Sequence, residues 1–385
     1  MHVLQVTPYF PPTWAYGGIP RIVDGLSRAL VSAGHRVTVL TTDVLDASER
    51  VSVSRDRFHH GVRVLTVRNV SNHLAYKHQL FLPRNIRDAL DDIDDPVDVV
   101  HLHGHRHLLN NAAVRWADAR GVPYVMTANG TLLRHERKIG AKWLWDQFVA
   151  GGIPQGAARL IAVSAADVNR HRSAGIPVER IVRIPNGLDL GEFEALPERG
   201  AFRERHGLGS GPIVTYLGRV SPRKGVEHLV RAFHGGGLKP AQLVVAGNDM
   251  GALSLAQSEP HDADVHFVGL VQDDERLALL SDTDVLVYPS ADEVFGLVPF
   301  EGLLCGTPVV VADDCGCGEL IAEAGAGLLV RYGDVEGLRS RIETLISDGA
   351  AAAAMVRRGR RYVQEKLGFE VVAAKHIEVY KSVLT

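Results

Sequence analysis

The sequence has few cysteines and no long apolar run. Its three cysteines in 385 residues, Cys305, Cys315 and Cys317, do not form a disulfide framework, and Cys315-Gly-Cys317 alone lacks the remaining ligands of a zinc site. No apolar stretch approaches the ~20 residues that span a bilayer, and Met1 leads into an apolar strand without a basic leader. We therefore expect a cytoplasmic protein without a membrane span.

A strong excess of charge of either sign is also absent. The net charge is -3 at pH 7, and a composition of 46% hydrophobic and 23% charged residues is that of a globular protein. The charge is unevenly placed, because residues 1–190 hold 23 Lys and Arg against 17 Asp and Glu. We expect no nucleic-acid partner, and the basic N-terminal half is suited to contact an anionic partner.

Strand and helix patterns alternate in both halves of the chain. Residues 2–7 form an apolar strand, 21–33 keep helical spacing of apolar residues, and 37–41 form a second strand. The pattern starts again with a strand at 213–217 and a helix at 226–233. An order of strand, helix and strand predicts an α/β fold with parallel sheets.

The length allows two domains of ordinary size, each with its own core. The stretch 192–211 is rich in charge and glycine, which is typical of a segment between domains. The sequence therefore predicts an N-terminal domain over 1–190 and a C-terminal domain over 191–368.

Two carboxylates lie eight positions apart in the segment Glu-Val-Phe-Gly-Leu-Val-Pro-Phe-Glu, residues 293–301. An apolar strand ends before it, and Pro299 fits the first position of a helix. Backbone N–H groups around 296–298 would then lie at the positive end of the helix dipole and suit phosphate. Glu293 and Glu301 repel phosphate and suit hydroxyl groups. A nucleotide-sugar carries both kinds of group.

Further candidate phosphate ligands stand in loops that follow predicted strands. Arg219 and Lys224 lie between a strand and a helix, where a guanidinium and an ammonium together favour phosphate over two unrelated surface cations. Gly17-Gly18 precedes a helix, so the N–H of Gly18 can reach a phosphate. Paired glycines are equally typical of a tight turn, and both interpretations stay open. Gly247 and Gly269 end two later strands and can let a flat base lie against the backbone.

Alternating histidines at 101, 103, 105 and 107 suggest a metal site if the strand continues through them. Gly104 and the helical pattern that follows argue that the chain turns instead, and no carboxylate or cysteine nearby completes a ligand set. We predict no metal site, and we place His103 singly at the carboxyl edge of a strand, where open α/β sheets bind ligands.

Basic residues lead into aromatic ones over residues 134–145. Such a stretch can rest on a membrane surface or contact an acidic acceptor. We favour the simpler explanation of a solvated helix with its aromatic residues packed inward, because charge runs are usually solvated faces.

Taken in order, these motifs resemble those of a retaining glycosyltransferase of family four. The resemblance implies the GT-B architecture, two Rossmann-like domains with parallel sheets facing across a cleft, in which a C-terminal helix at about 369–385 completes the N-terminal, acceptor-side domain. The matching motifs are the Gly17-Gly18 loop, Asp98-Val-Val-His-Leu-His-Gly, Ile184-Pro-Asn-Gly-Leu-Asp, Tyr216-Leu-Gly-Arg-Val with Lys224-Gly225, Val245-Ala-Gly, Phe267-Val-Gly and Glu293-x7-Glu301.

The resemblance also implies a role for each candidate residue. Glu301 would hold the ribose, Glu293 the transferred sugar, and His103 would lie beside that sugar. Arg219 and Lys224 would neutralise the diphosphate, with help from backbone N–H groups of Gly18, Gly296, Leu297 and Val298. Relatives often have histidine where this chain has Asn129 before Gly130, so no catalytic role is transferred to Asn129.

The expected activity is metal-independent, cofactor-free transfer of a hexose from a UDP- or GDP-sugar to a glycan or lipid-linked acceptor in polysaccharide or glycoconjugate biosynthesis. The expected location is the cytoplasm, which includes peripheral contact with the inner face of the membrane. Three alternatives stay open. Asp92-Ile-Asp94 or Asp282-Thr-Asp284 would serve a metal-dependent transferase of the other common architecture. The same fold would serve a sugar-nucleotide epimerase or a non-catalytic nucleotide-sugar-binding module.

Overall fold

The computed structural model describes residues 1–132, 152–235, 237–261 and 264–384. The chain forms two compact units. The N-terminal unit consists of Met1–Gly187 and Phe369–Thr385, and the C-terminal unit of Leu188–Gly368. The basic and aromatic stretch 134–145 lies outside the described residues.

The N-terminal unit is built on an eight-stranded sheet in the order β3-β4-β2-β1-β5-β6-β7-β8. Every neighbouring pair is parallel except β3 and β4. The strand order reverses between β1 and β5, so the loops after these two strands meet at one edge of the sheet. The strands are β1 His2–Val6, β2 Arg36–Thr42, β3 Asp56–His59, β4 Val62–Val67, β5 Val99–His103, β6 Tyr124–Thr127, β7 Arg159–Ala162 and β8 Ile181–Arg183.

Strand β3 is antiparallel to β4 in a sheet that is otherwise parallel, as predicted. His60 and Gly61 both have positive φ, 49° and 81°, as a two-residue hairpin turn requires. This turn folds β3 back along β4, at the edge of the sheet, where Phe58 is 75% exposed.

The helices of the N-terminal unit cover the sheet and bury its apolar side chains. The first helix begins at Gly18, three residues before the predicted start, and presents Val23, Leu26 and Leu30 to the core. Among the described residues before 188, the helices are α1 Gly18–Ser32, α2 Asn72–His78, α3 Ile86–Asp91, α4 Leu108–Asp118, α5 Ile153–Gly156 and α6 Ala165–Ser173.

The C-terminal unit has a wholly parallel six-stranded sheet in the order β11-β10-β9-β12-β13-β14. The order reverses between β9 and β12, and open sheets of this kind bind ligands at such a reversal, beyond the carboxyl ends of the strands. The strands are β9 Ile213–Leu217, β10 Gln242–Ala246, β11 Val265–Gly269, β12 Val285–Tyr288, β13 Val309–Ala312 and β14 Gly327–Val330.

The predicted inter-domain stretch 192–211 belongs to the C-terminal unit, because it contains a helix whose first residues are held by Asp282 through the N–H groups of Gly200 and Arg203. A 3-10 turn at Leu190–Phe193 precedes it. The helices of this unit are α7 Ala201–Arg205, α8 Val226–Ala232, α9 Leu253–Ser258, α10 Asp273–Asp282, α11 Val298–Cys305, α12 Gly316–Ala324, α13 Val335–Ser347 and α14 Gly349–Lys366.

The chain then returns to the N-terminal unit as helix α15, Phe369–Lys381, which packs against α1. The ring of Phe369 lies where Gly25 and Gly187 have no side chain, since a Cβ on either glycine would overlap it. Val372 and Tyr380 of the same helix are buried in the core of the N-terminal unit.

Candidate functional site

The reversal of strand order in the C-terminal unit brings two loops together, residues 218–225 after β9 and residues 289–297 after β12. Gly225 has φ of +69° and a Cβ there would overlap the carbonyl of Pro289, so the two loops touch through backbone. Only glycine permits that approach. The predicted residues Lys224 and Glu293 stand on these loops.

Lys224 and Glu293 form an ion pair through Nζ and Oε2. The hydroxyl of Tyr288, at the end of β12, donates a 3.0 Å hydrogen bond to the same oxygen and lies 3.3 Å from Nζ. The side chains of Lys224 and Glu293 are 14% and 22% exposed. A cation, a carboxylate and a phenol thus form one half-buried cluster, which we call the Lys224–Tyr288–Glu293 cluster.

The charges of this cluster fix its protonation. Burial works against an ionised Glu293, but the attraction and hydrogen bond of Lys224, the Tyr288 hydroxyl and the positive charge of Arg219 outweigh it and hold the pKa of Glu293 below its usual value. Burial and the Glu293 charge raise the pKa of Tyr288 well above its usual value. Glu293 is therefore a carboxylate at neutral pH, and Tyr288 remains a donor.

Arg219 follows β9 and is exposed, and its carbonyl accepts a 2.8 Å hydrogen bond from Tyr216. That bond fixes the backbone of the loop, and the positive charge of Arg219 acts on Glu293. Lys224 carries three N–H donors and engages Glu293 and Tyr288. Both cations can therefore contact an anion beside the cluster.

Helix α11 begins at Val298, one residue before the predicted start at Pro299. Leu297 precedes it and has no side-chain group to cap the first N–H groups. Gly296 has φ of +79°, and a Cβ there would lie 3.0 Å from Sγ of Cys317, so the turn into the helix requires glycine. The uncapped N–H groups of 296–298 are the donors that the sequence predicts for an anion.

Glu301 lies in the first turn of α11 and is buried. Its Oε2 accepts a 2.8 Å hydrogen bond from Nη1 of Arg276, on α10. Nη2 of Arg276 bonds Oε2 of Glu192 at 2.8 Å. Sequence reasoning missed Arg276, Glu192 and Tyr288, because a lone arginine in a charge-rich helix and a tyrosine at a strand end are ordinary surface and core residues.

The two glycines predicted to face a base differ in their surroundings. A Cβ on Gly247 would overlap the carbonyl of Gly218, so this glycine serves the packing of two strand ends. Gly269 has φ of +74° and open space where a Cβ would stand. Of the two, Gly269 alone has room beside its backbone for a ligand group.

The predicted residues of the N-terminal unit lie where its own strand order reverses. Gly17 has φ of +93° and nothing within 4 Å of a Cβ position, and Gly18 is the first residue of α1. His103 is the last residue of β5, and its Nε2 lies 2.5 Å from Oε1 of Gln5. Burial, followed by the nearby His376, lowers the pKa of His103 to about 3, so the imidazole is neutral. His103 is 2% exposed, so it is more buried than its predicted position at the carboxyl edge of the sheet implies.

The four alternating histidines are all buried. His101 is held by the Tyr380 hydroxyl at 2.7 Å and the Thr127 hydroxyl at 2.8 Å. Within the described residues, no group of three His, Cys, Asp or Glu side chains is placed to hold a metal ion. In the second Asp-x-Asp pattern, Asp282 binds the first N–H groups of α7 and Asp284 accepts from the N–H of Ile213, so both carboxylates have structural partners.

Among the described residues, no helix combines the length and apolar character needed to cross a membrane.

Two family models match the chain, one to each half. Residues 16–192 match "Glycosyltransferase Family 4" and residues 198–362 match "Glycosyl transferases group 1". The two matches contain Gly17, Gly18 and His103 in the first case, and Arg219, Lys224, Glu293 and Glu301 in the second.

Curated and solved relatives agree with the family models. The chain is 28% identical to a glycogen synthase of Mycobacterium tuberculosis, over 99% of this chain and 94% of the relative. It is 30% identical to a D-inositol 3-phosphate glycosyltransferase of Rhodococcus erythropolis, over 72% of this chain and 67% of the relative.

Among solved structures, a sucrose-phosphate synthase from Thermosynechococcus elongatus aligns with a TM-score of 0.76 and 23% identity, over 100% of this chain and 99% of the other. HepE from Anabaena, solved with UDP and glucose, aligns with a TM-score of 0.76 and 20% identity, over 99% and 100% of the two chains. The predicted α/β fold of GT-B type is confirmed by these neighbours. The chain belongs to glycosyltransferase family four and is a glycosyltransferase of the GT-B fold.

Proposed function

We propose that the protein transfers a hexose from a nucleoside-diphosphate sugar, UDP- or GDP-linked, to a hydroxyl of a glycan or lipid-linked acceptor, with retention of anomeric configuration and without a metal or cofactor. The observation that carries this proposal is the Lys224–Tyr288–Glu293 cluster at the strand-order reversal of the C-terminal unit. It sets a fixed carboxylate beside cations and uncapped helix N–H groups.

We assign groups of this unit to the diphosphate, the ribose and the sugar of the donor. The diphosphate takes Arg219, Lys224 and the N–H groups of 296–298, which together supply two positive charges and a helix dipole. Glu301 accepts from the ribose hydroxyls, and the ionised Glu293 accepts from a hydroxyl of the sugar.

The site is suited to stabilise the leaving group. Breaking the bond between the anomeric carbon and the phosphate oxygen leaves negative charge on the β-phosphate. Arg219 and Lys224 lower the energy of that charge as it develops, which is the role a divalent cation plays in metal-dependent transferases. This arrangement supports the proposed metal-independent turnover.

The state of Glu293 supports the proposed retention of configuration. Glu293 is held as a carboxylate by Lys224 and Tyr288, and its low basicity makes it a poor acceptor for the proton of the incoming hydroxyl. The departing phosphate takes that proton when the acceptor attacks from the same face, and the new bond keeps the configuration of the old one.

In the N-terminal unit we assign Gly17 and the N–H of Gly18 to the diphosphate and His103 to the sugar. A neutral imidazole offers a hydrogen bond without adding charge. The excess of basic residues over 1–190 suits an acceptor that carries phosphate or rests on an anionic membrane.

Two similar proteins support a nucleotide-sugar donor. HepE was solved with UDP-glucose, and a relative in Mycobacterium tuberculosis is named GDP-mannose-dependent alpha-mannosyltransferase. These names leave both UDP- and GDP-sugars as donors to test.

The test is a thermal-shift screen with UDP-, GDP- and ADP-sugars, followed by transfer assays in EDTA with the stabilising donor. A bound donor at 100 times its Kd should add about 2.7 kcal/mol of stability. We expect transfer to continue in EDTA, with the anomeric configuration of the product, read by NMR, matching that of the donor. Product formed without any acceptor would instead indicate an epimerase, and tight donor binding without turnover across many acceptors would indicate a binding module.

A further inference from the structure

Arg276 links two acidic side chains that are far apart in sequence. Its Nη1 donates to Oε2 of Glu301 and its Nη2 to Oε2 of Glu192, both at 2.8 Å. The guanidinium also stands 5.9 Å from the centroid of the Phe193 ring. We call Glu192, Arg276 and Glu301 the arginine bridge.

The arginine bridge is buried at Arg276 and Glu301 and is more exposed at Glu192. The side chains of Arg276 and Glu301 are each 11% exposed, while that of Glu192 is 36% exposed. A buried carboxylate without a cation would be costly, and removing one partner of such a pair leaves the other uncompensated. Arg276 therefore supplies the positive charge that offsets the buried Glu301 carboxylate.

The two oxygens of Glu301 are differently engaged. Oε2 is held by Arg276. The arginine bridge engages Glu301 through Oε2 and does not use Oε1. A carboxylate accepts through both oxygens, so the arrangement fixes the group by one oxygen and leaves the other as an acceptor.

We propose that Arg276 is a positioning residue for the nucleotide: it holds Oε2 of Glu301 so that Oε1 accepts from the ribose hydroxyls, and it offsets the charge that Glu301 would direct at the diphosphate. This inference rests on the proposed function, in which Glu301 binds the ribose. It gives Arg276 no contact with the donor.

The geometry of the guanidinium group makes position 276 specific to arginine. Two separate N–H groups reach two carboxylates on different segments, α11 and the 3-10 turn Leu190–Phe193. Lysine would keep the charge but presents a point charge on a flexible stem. Glutamine would keep a hydrogen-bond donor and remove the charge. The two substitutions therefore separate orientation from charge.

The readout is discrimination between ribose and deoxyribose. Calorimetry with UDP and GDP, each beside its 2′-deoxy counterpart, measures how much affinity the ribose hydroxyl adds. We expect at least a tenfold preference for the ribose form in the unmodified protein, the range for losing one hydrogen bond to a charged group. Glu301→Gln should remove most of this preference. Arg276→Gln should reduce the preference to about twofold or less, and it should raise the KM for the donor more than it lowers kcat.

Two further variants keep the test independent of misfolding. Arg276→Lys should bind UDP or GDP more tightly than Arg276→Gln yet still discriminate poorly. Glu192→Gln removes the other arm of the bridge and should leave most of the preference, since Nη1 still holds Glu301. Thermal midpoints of all four variants establish that each is folded.

The outcomes separate this inference from the proposed function. A ribose preference that depends on Glu301 but survives in both Arg276 variants overturns the positioning role and leaves the proposed function intact. Binding of neither nucleotide by the unmodified protein, or nucleotide binding unaffected by Glu301→Gln, overturns the ribose site itself and the positioning role with it.

Discussion

Lys224 and Glu293, 69 residues apart, form an ion pair at the point where the strand order of the C-terminal sheet reverses. A phosphate that approaches Lys224 therefore meets a cation whose charge is already shared with a carboxylate. The pair holds Glu293 ionised and in place before a donor arrives, which reduces the reorganisation needed during transfer. The following predictions test this pair and the groups around it.

Replacing Glu293 should separate chemistry from binding. Glu293→Gln keeps the size of the side chain and removes its charge, so we expect transfer to fall about 100-fold, as when one preorganised polar contact is removed. Affinity for UDP or GDP alone should change less than about threefold, because the nucleotide does not need this group. Initial rates and calorimetry measure the two effects. An equal loss of nucleotide affinity would contradict the assignment of Glu293 to the sugar.

Replacing Glu301 should have the opposite effect. Glu301→Ala removes the acceptor for the ribose and leaves Arg276 without its buried partner, so the Kd for UDP or GDP should rise about 10- to 100-fold. With donor at saturating concentration, kcat should fall far less than in Glu293→Gln. Titration calorimetry measures the Kd and saturation kinetics measure kcat. Unchanged nucleotide affinity would contradict the assignment of Glu301 to the ribose.

Tyr288→Phe should alter the pH dependence of transfer. The hydroxyl of Tyr288 stabilises ionised Glu293, so its removal raises the pKa of Glu293 toward the ordinary value. Because Glu293 acts as a carboxylate, the acidic limb of the pH–rate profile should move to higher pH. Activity well above that limb should be less affected. Profiles for the unmodified protein and the variant, measured at saturating donor, give the comparison, and coincident acidic limbs would exclude this role for Tyr288.

The buried histidines predict weakening of the N-terminal unit in mild acid. Burial lowers the pKa of His103 to about 3 and of His376 to about 4, below their value in the unfolded chain. The unfolded state therefore binds more protons as pH falls below about 6.5, and stability falls by up to about 1.4 kcal/mol per pH unit for each such group.

Replacing His376 should make this dependence shallower. His376→Gln removes one titrating group, so the free energy of unfolding should change less steeply between pH 6.5 and pH 5 than in the unmodified protein. Urea denaturation at these pH values is the measurement. A slope that does not change in His376→Gln would contradict this role of the buried histidine.

A single methyl group should disturb the docking of α15. Alanine is normally better than glycine inside a helix by about 1 kcal/mol, so Gly25→Ala in α1 would stabilise an isolated helix. Here the new Cβ overlaps the ring of Phe369, and we expect a net loss of about 1–3 kcal/mol. Adding Phe369→Leu should recover part of that loss. Thermal unfolding of the single and double variants would show additive losses if the two residues were not in contact.

The sequence predicts strands best where apolar runs are bounded by glycine or proline. Residues 213–217 are predicted as a strand and the structure has Ile213–Leu217, because Pro212 and Gly218 mark both ends. Strand β3 was not predictable in this way. Its residues Asp-Arg-Phe-His lack an apolar face, and its pairing depends on the hairpin turn at His60 and Gly61.

The candidate site follows the same division. Lys224 and Glu293 are predictable because polar residues after parallel strands gather at one edge of a sheet, whatever their separation in the chain. The role of Arg276 is not predictable from the sequence, because its contact with Glu301 depends on α10 packing beside α11. The burial of His103 could not be predicted either, because the last residue of a strand can be exposed or buried.

The return of the chain at Phe369 sets an order for biosynthesis. Val372 and Tyr380 belong to the core of the N-terminal unit. The rest of that unit, Met1–Gly187, is translated first, and the roughly 180 residues of Leu188–Gly368 are translated before α15. The C-terminal unit has a complete core before that of the N-terminal unit can close. Until then, the apolar groove that receives α15 is open to chaperones, and a chain that ends before residue 369 would keep that groove and be a target for degradation.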